Sequence, residues 1–159
     1  MSARAAWRLE ELGFTRVYDY VASKIDWFAN GLPREGRAAK IPWTGDLARE
    51  DVATCAPTDR VGGIRQRVLE SGYDLCLVLN EHRIVMGVLR GNALAKDQDA
   101  LAGAVMELGP KTQRPHIAVE ELLGSRAYDG VKSWIVTTSH GVLVGLLLRA
   151  DAERALAED

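Results

Sequence analysis

The stretch GVLVGLLLRADAE, Gly141–Glu153, decides the fold. A β-branched and leucine-rich run ends abruptly in a charged segment with helical composition, the mark of a strand feeding a helix. The chain has already written this junction upstream as RIVMGVLRGNAL, Arg83–Leu94. Slid against itself by 58 positions, the sequence aligns without a gap: Thr54 falls on Thr112, Pro57 on Pro115 and Val61 on Val119. Gly72 falls on Gly130, Val78 on Val136, His82 on His140 and Gly87 on Gly145. Apolar positions keep the same register, with Ile64 on Leu122, Leu77 on Ile135 and Ile84 on Val142. Agreement at the Gly and Pro that end elements, as well as at apolar positions, identifies a duplicated unit. Two copies predict a pair related by a pseudo-twofold axis, because a solenoid needs three or more.

Each copy reads as strand, helix, strand, strand, helix. ATCAP and KTQRP are short extended pieces. Val61, Ile64 and Val68 mark a helix face in the first copy, as do Val119, Leu122 and Leu123 in the second. Those helices stop at ESG and YDG. The runs LCLVL and IVMGVL, and SWIVTT and VLVGLLL, are separated by polar turns and predict hairpins. Their near-continuous apolarity predicts strands covered on both faces. NALAKD and ADAERALAE are read as closing helices, and DALAGAVMEL as a packing helix with Leu101, Val105 and Leu108 on one side.

Composition narrows the function classes. The chain has 159 residues and a formal net charge of −2, so one compact domain or two small halves fit. No basic excess exists to neutralise a phosphate backbone, which argues against nucleic acid as a partner. The apolar run Val142–Leu148 is too short to span a bilayer, and the N-terminus lacks the apolar core of a secretory signal. Cys55 and Cys76 stand in unrelated contexts, so a reducing, cytoplasmic setting is expected. No His pair has metal-ligand spacing, and no nucleophile has an evident base. Neither a metal nor a catalytic residue is expected, and the chain is read as a non-enzyme.

The segments VATCAPTDRV…VLNEHRIVMGVLRGNAL and VMELGPKTQRPHIAVEEL…VTTSHGVLVGLLLRADAE resemble a tandem cystathionine-β-synthase-type (CBS) domain pair, also called a Bateman module. The resemblance implies an α/β (α+β) fold of two β-α-β-β-α repeats, assigned here to residues 46–98 and 99–159. It also implies a homodimer and an adenosine-bearing ligand, such as AMP, ATP or S-adenosylmethionine, in the cleft between the repeats. Strand-to-helix junctions present unpaired N–H groups and suit an anion. The family pattern Gly-x-x-Thr/Ser-x-x-Asp supplies a phosphate-binding hydroxyl and a ribose-binding acid. The second copy gives Gly145, Leu148 and Asp151, with Arg149 beside them as a substitute phosphate ligand. The first gives Gly87, Arg90 and Ala93, with Asn92 one position early. Thr54 and Thr112 stand where the family's first strand passes the cleft. The expected ligand-binding set is therefore Thr54, Arg90, Asn92, Thr112, Arg149 and Asp151. Four of these also have plainer roles: Arg149 at the surface, Thr54 and Thr112 as ordinary strand residues, and Asp151 at a helix start, where an acid is worth about 1 kcal/mol without any ligand. The missing hydroxyls and the missing first acid keep a ligand-free dimerisation or partner-binding module as the alternative.

Residues 1–45 read differently. RAAWRLEELG and ASKIDWFANG predict helices ending at Gly13 and Gly31, with TRVYDYV extended between them. LEELGFTRVYDYVASKIDWFANGLP resembles the last strand and helix of a rhodanese (sulfurtransferase) domain. Its reactive-cysteine loop is expected to be missing from this chain, and Cys55 lacks such surroundings. The segment is expected to pack Trp7, Phe14, Trp27 and Phe28 on the repeat pair or on a partner subunit. GLPREGRAAKIPWTGD is read as a solvated linker anchored by Trp43.

Overall fold

The structure, a computed structural model, describes residues 3–158. The outermost bounds of the expected segments, Met1 and Asp159, lie outside those residues. In the first copy, β1 (Thr54–Cys55), α4 (Val61–Ser71), β2 (Leu75–Leu79) and β3 (Val85–Arg90) follow one another. In the second, β5 (Thr112–Gln113), α6 (Val119–Gly124), β6 (Ser133–Thr137) and β7 (Leu143–Leu148) repeat them, and α7 (Arg149–Ala157) closes the chain.

The duplication holds to the residue. Thr54 pairs with Leu77 in parallel, as Thr112 pairs with Ile135. Val78 faces Gly87 across an antiparallel hairpin, as Val136 faces Gly145, and each hairpin slips register at the next residue. Gly72 and Gly130 end equivalent segments at φ 73° and 74°, a left-handed turn that other residues adopt at a cost. The copies meet through their own equivalents. Ile84 bridges Val142, the Val85 amide donates to the Gly141 carbonyl, and the Leu143 amide donates to the Arg83 carbonyl. A contact between a residue and its own counterpart is what a twofold axis produces.

Short segments outside the hairpins swap sides. α3 (Thr44–Leu47) packs on β7 of the second copy, and α5 (Ala102–Val105) packs on β3 of the first. The Gly45 amide donates to the Pro115 carbonyl as the Gly103 amide donates to that of Pro57. The equivalence thus begins at Trp43, whose bridge to Ala118 matches that of Leu101 to Arg60. β4 (Glu107–Leu108) then joins the edge of the first sheet.

Every residue of β2 is buried, as expected for a strand covered on both faces. Cys76 and Val78 face Ile64 and Val68 of α4. Leu75, Leu77 and Leu79 meet Ile135, Leu143 and Leu146 of the other sheet. Val136 and Leu147 complete the layers against Val119, Leu122 and Ala152. Helices thus cover the outer faces of two facing sheets, β1-β2-β3-β4 and β5-β6-β7.

Three local expectations are corrected. DALAGAVMEL is not one helix: one turn, α5, gives way to β4, and Leu101 and Leu108 are exposed. Its backbone is instead drawn onto Pro57, Asp59 and β3 by hydrogen bonds. NALAKD forms only a 3-10 turn, Gly91–Ala93. Gly91 stands at φ 48°, outside helical space, and Arg65 caps the carbonyls of Leu94 and Lys96 that a helix would have used. TRVYDYV forms no strand. It joins α1 (Ala3–Glu11) to α2 (Ser23–Ala29), with Tyr18 and Val21 exposed and its backbone outside both sheets.

Only part of the N-terminal segment is tied down as expected. Phe28 of α2 is buried, its ring 4.8 Å from the Trp43 ring in a T-shaped contact, with the Arg34 guanidinium 4.7 Å from its centre. Trp7 and Phe14 stay exposed on this chain.

Candidate functional site

Two positions between the copies are equivalent, and their side chains differ. The first is an open cleft of about 410 Å³. Leu75, Val88 and Ile135 give it an apolar floor, and Tyr128, Val131 and Trp134 form one wall. Arg90, Glu107 and Lys111 are its charged members. Arg90 Nε and Nη2 donate to Glu107 Oε2 at 3.0 and 2.9 Å, with the two side chains 57% and 51% exposed. Water screens such a pair, so an incoming charge can separate it at small cost. Lys111 is exposed and Gln113 donates to the Tyr128 hydroxyl at 2.8 Å.

At the second position, Arg49 replaces Glu107, Tyr73 replaces Val131, Leu148 replaces Arg90 and Asp151 replaces Ala93. Arg49 Nε and Nη2 donate to the two carboxylate oxygens of Asp151 at 2.7 and 2.8 Å, and Arg154 adds a third bond at 2.7 Å. Asp151 is buried. The Arg49 guanidinium holds its carboxyl below the ordinary 3.8, the hydrogen bonds outweighing burial. The Tyr73 hydroxyl donates to Asp51 at 2.5 Å.

The expected set is therefore dispersed. Arg90 lines the open cleft, and Thr112 lies in β5 between two of its members, Lys111 and Gln113. Arg149 sits behind the wall: Nε donates to the Val131 carbonyl at 2.6 Å, Nη2 to that of Tyr128, and the guanidinium lies 5.2 Å from the Trp134 ring centre. Asp151 belongs to the second position, engaged on both oxygens. Thr54 is half-buried in β1, its carbonyl accepting from Arg67, and Asn92 is exposed in the 3-10 turn. Arg49, Tyr73, Glu107, Lys111, Tyr128 and Trp134 escape the sequence reading. One signal was available: the 58-residue shift sets Arg49 on Glu107, a charge reversal at equivalent positions.

The ion pair has a consequence in acid. The folded carboxyl titrates below its unfolded value, so the stabilisation is complete above pH 3.8 and is lost as pH falls through the folded value. Asp151→Asn should make the protein less stable at neutral pH and flatten the fall of stability below about pH 4 by up to one proton's worth. Urea unfolding of both proteins between pH 7 and pH 2 measures this. Parallel acid limbs would show that Asp151 ionises freely.

No protein-family model and no curated protein matches the sequence. Solved structures do match its fold. The CBS domains of a transcriptional regulator from Streptococcus pneumoniae align at a TM-score of 0.64 and 19% identity, over 72% of this chain and 98% of that one. CBSX2 of Arabidopsis thaliana in complex with AMP aligns at 0.63 and 18%, over 73% and 96%. The CBS domain pair of protein MJ0100, in complex with 5-methylthioadenosine and S-adenosyl-L-methionine, aligns at 0.61 and 13%, over 74% and 98%. The chain has the α+β fold of a CBS domain pair, with two sheets and two repeats. Among the described residues no helix is long and apolar enough to cross a membrane, and no cluster of His, Cys, Asp and Glu is placed to hold a metal.

Proposed function

We propose that the protein is a non-catalytic regulatory module that binds an adenosine-bearing ligand in the open cleft and relays its occupancy through a homodimer. The observation that carries this is the cleft itself: about 410 Å³ between the copies, apolar at its floor and cationic at Arg90 and Lys111. That volume suits a small-molecule site, and its lining suits a flat ring with an anionic tail. An aromatic base stacks on the apolar floor. Lys111 and Arg90 meet phosphate or carboxylate, and Glu107, released from Arg90, accepts from ribose hydroxyls where Ala93 supplies no acid. Thr112 flanks the same strand edge. Neighbours of this fold solved with AMP or S-adenosyl-L-methionine support the ligand class. Two free, buried cysteines suit a reducing cytoplasm.

Thermal unfolding against AMP, ADP, ATP, S-adenosylmethionine and NAD tests the reading. A compound at a hundred times its dissociation constant should stabilise the fold by about 2.7 kcal/mol. Lys111→Glu should abolish the shift without lowering the ligand-free midpoint. A flat response to all five rejects the reading in favour of a ligand-free partner-binding module. One observation favours that second reading: Trp7, Leu12, Phe14, Tyr18 and Val21 are all exposed in the N-terminal segment.

A further inference from the structure

The 58-residue equivalence allows the two inter-repeat positions to be compared side chain by side chain. In the open cleft a valine, Val131, stands where the second position carries Tyr73. Tyr73 and Leu148 pack against the core between the sheets. Their equivalents, Val131 and Arg90, leave that space open as cleft lining. At the second position both oxygens of Asp151 are taken by one guanidinium, and Arg154 takes a further bond. Oδ1 accepts two of these bonds and Oδ2 one, so the carboxylate is mostly committed where it borders a hollow of about 310 Å³ with Arg49 and Arg154. Arg49 bonds Asp151, and the Tyr73 hydroxyl donates to Asp51, two residues further along the same segment. These bonds fasten the segment before β1 to the residues leading into β2 and to the first turn of α7, and the Arg49–Asp151 pair ties the first copy to the second. On the other side Arg90 and Glu107 pair in the open and join β3 to the neighbouring edge strand.

We propose that the chain occupies its own second site: Tyr73 fills the base-binding space, Arg49 neutralises the acid, and the resulting latch fixes the protein at one ligand per chain. The count of one rests on the reading that the open cleft binds a ligand. The latch does not.

Two measurements separate these. The first uses ligand-free protein and a double-mutant cycle of Arg49→Met and Asp151→Asn, both changes of similar volume. The two side chains bond each other directly. A latch makes them cooperative, so the double variant should lose clearly less thermal midpoint than the sum of the single losses. Strict additivity overturns the latch whatever the protein binds. The second is calorimetric titration with AMP of the wild type and of a Tyr73→Val, Arg49→Ala double variant, its fold checked by circular dichroism. One site in the wild type and two in the variant are expected. Two sites in the wild type, or one in a folded variant, overturn self-occupation. If neither protein takes up AMP, the ligand reading is what fails for this probe, and the cycle alone decides the latch.

Discussion

Gly145→Val is expected to destabilise the protein by about 2–4 kcal/mol, from overpacking and the loss of backbone hydrogen bonds. Gly145 lies in β7, where the segment carrying Ala48 and Arg49 crosses it. A Cβ at this position would stand 2.6 Å from the Arg49 carbonyl oxygen and 3.0 Å from the carbonyl carbons of Ala48 and Arg49. All three are backbone atoms, so no side-chain rotation relieves the clash. The crossing segment is held by reciprocal bonds, Arg49 amide to Leu146 carbonyl and the reverse, both at 2.9 Å. Moving it away breaks both and withdraws Arg49 from Asp151. The equivalent Gly87 is a partial control. There the first obstacle is the flexible Met106 side chain at 2.6 Å, although the Glu107 carbonyl oxygen at 2.8 Å still resists. Gly87→Ala should therefore cost less than Gly145→Ala. Urea midpoints of the three variants check both statements. A Gly145→Val protein within about 0.5 kcal/mol of wild type would mean that the crossing segment is not seated on β7.

The same two glycines mark how far the sequence could be read. Their alignment across 58 positions located both hairpins, both parallel edge strands and the axis between the copies, because Gly and Pro carry backbone information that survives divergence of the side chains. Alternation failed where a segment's partner is distant. Ala102–Val105 has helical composition, but the Ala102 and Gly103 amides donate to Asp59 and Pro57 and the next residues, Glu107 and Leu108, pair with β3, so one turn forms and the chain then extends. In TRVYDYV the reverse occurred: β-branched and aromatic residues suit a strand, yet the segment pairs with neither sheet and no strand forms. The site was less legible still. Asp151 was recognisable as an acid at the head of a helix, but its partner Arg49 is 102 residues away in sequence, in a stretch with no pattern of its own. Tyr73 sits just after a helix stop, where an aromatic residue has many roles. Only the pairing of copies, Arg49 against Glu107 and Tyr73 against Val131, makes these positions informative. That comparison becomes decisive once the side chains are seen to face each other.

Trp134→Ala should cost about 3–5 kcal/mol, the loss usual for a buried aromatic truncated to a methyl group. Trp134 is 4% exposed and is packed from three sides. Tyr128 meets it edge-on at 6.2 Å, Arg149 lies over its ring, and Leu147 and Ala152 share its cluster. Because Trp134 also backs the wall of the open cleft, the vacated volume would join that cleft rather than collapse. Arg149 would keep its bonds to the carbonyls of Tyr128 and Val131 but lose the π face beneath it. The equivalent residue in the first copy is Cys76, buried but small, and Cys76→Ala should cost only about 1 kcal/mol on the same area reasoning. Trp134→Phe separates shape from polarity. The indole N–H is buried without an acceptor among the described residues, so its removal forfeits no hydrogen bond. Phenylalanine should then recover most of the loss, leaving a deficit of about 1–1.5 kcal/mol for the smaller ring. Guanidinium unfolding of the two variants gives the comparison directly. A Phe variant as unstable as the Ala variant would show that the N–H is engaged after all, and that this wall is held by a polar contact rather than by packing.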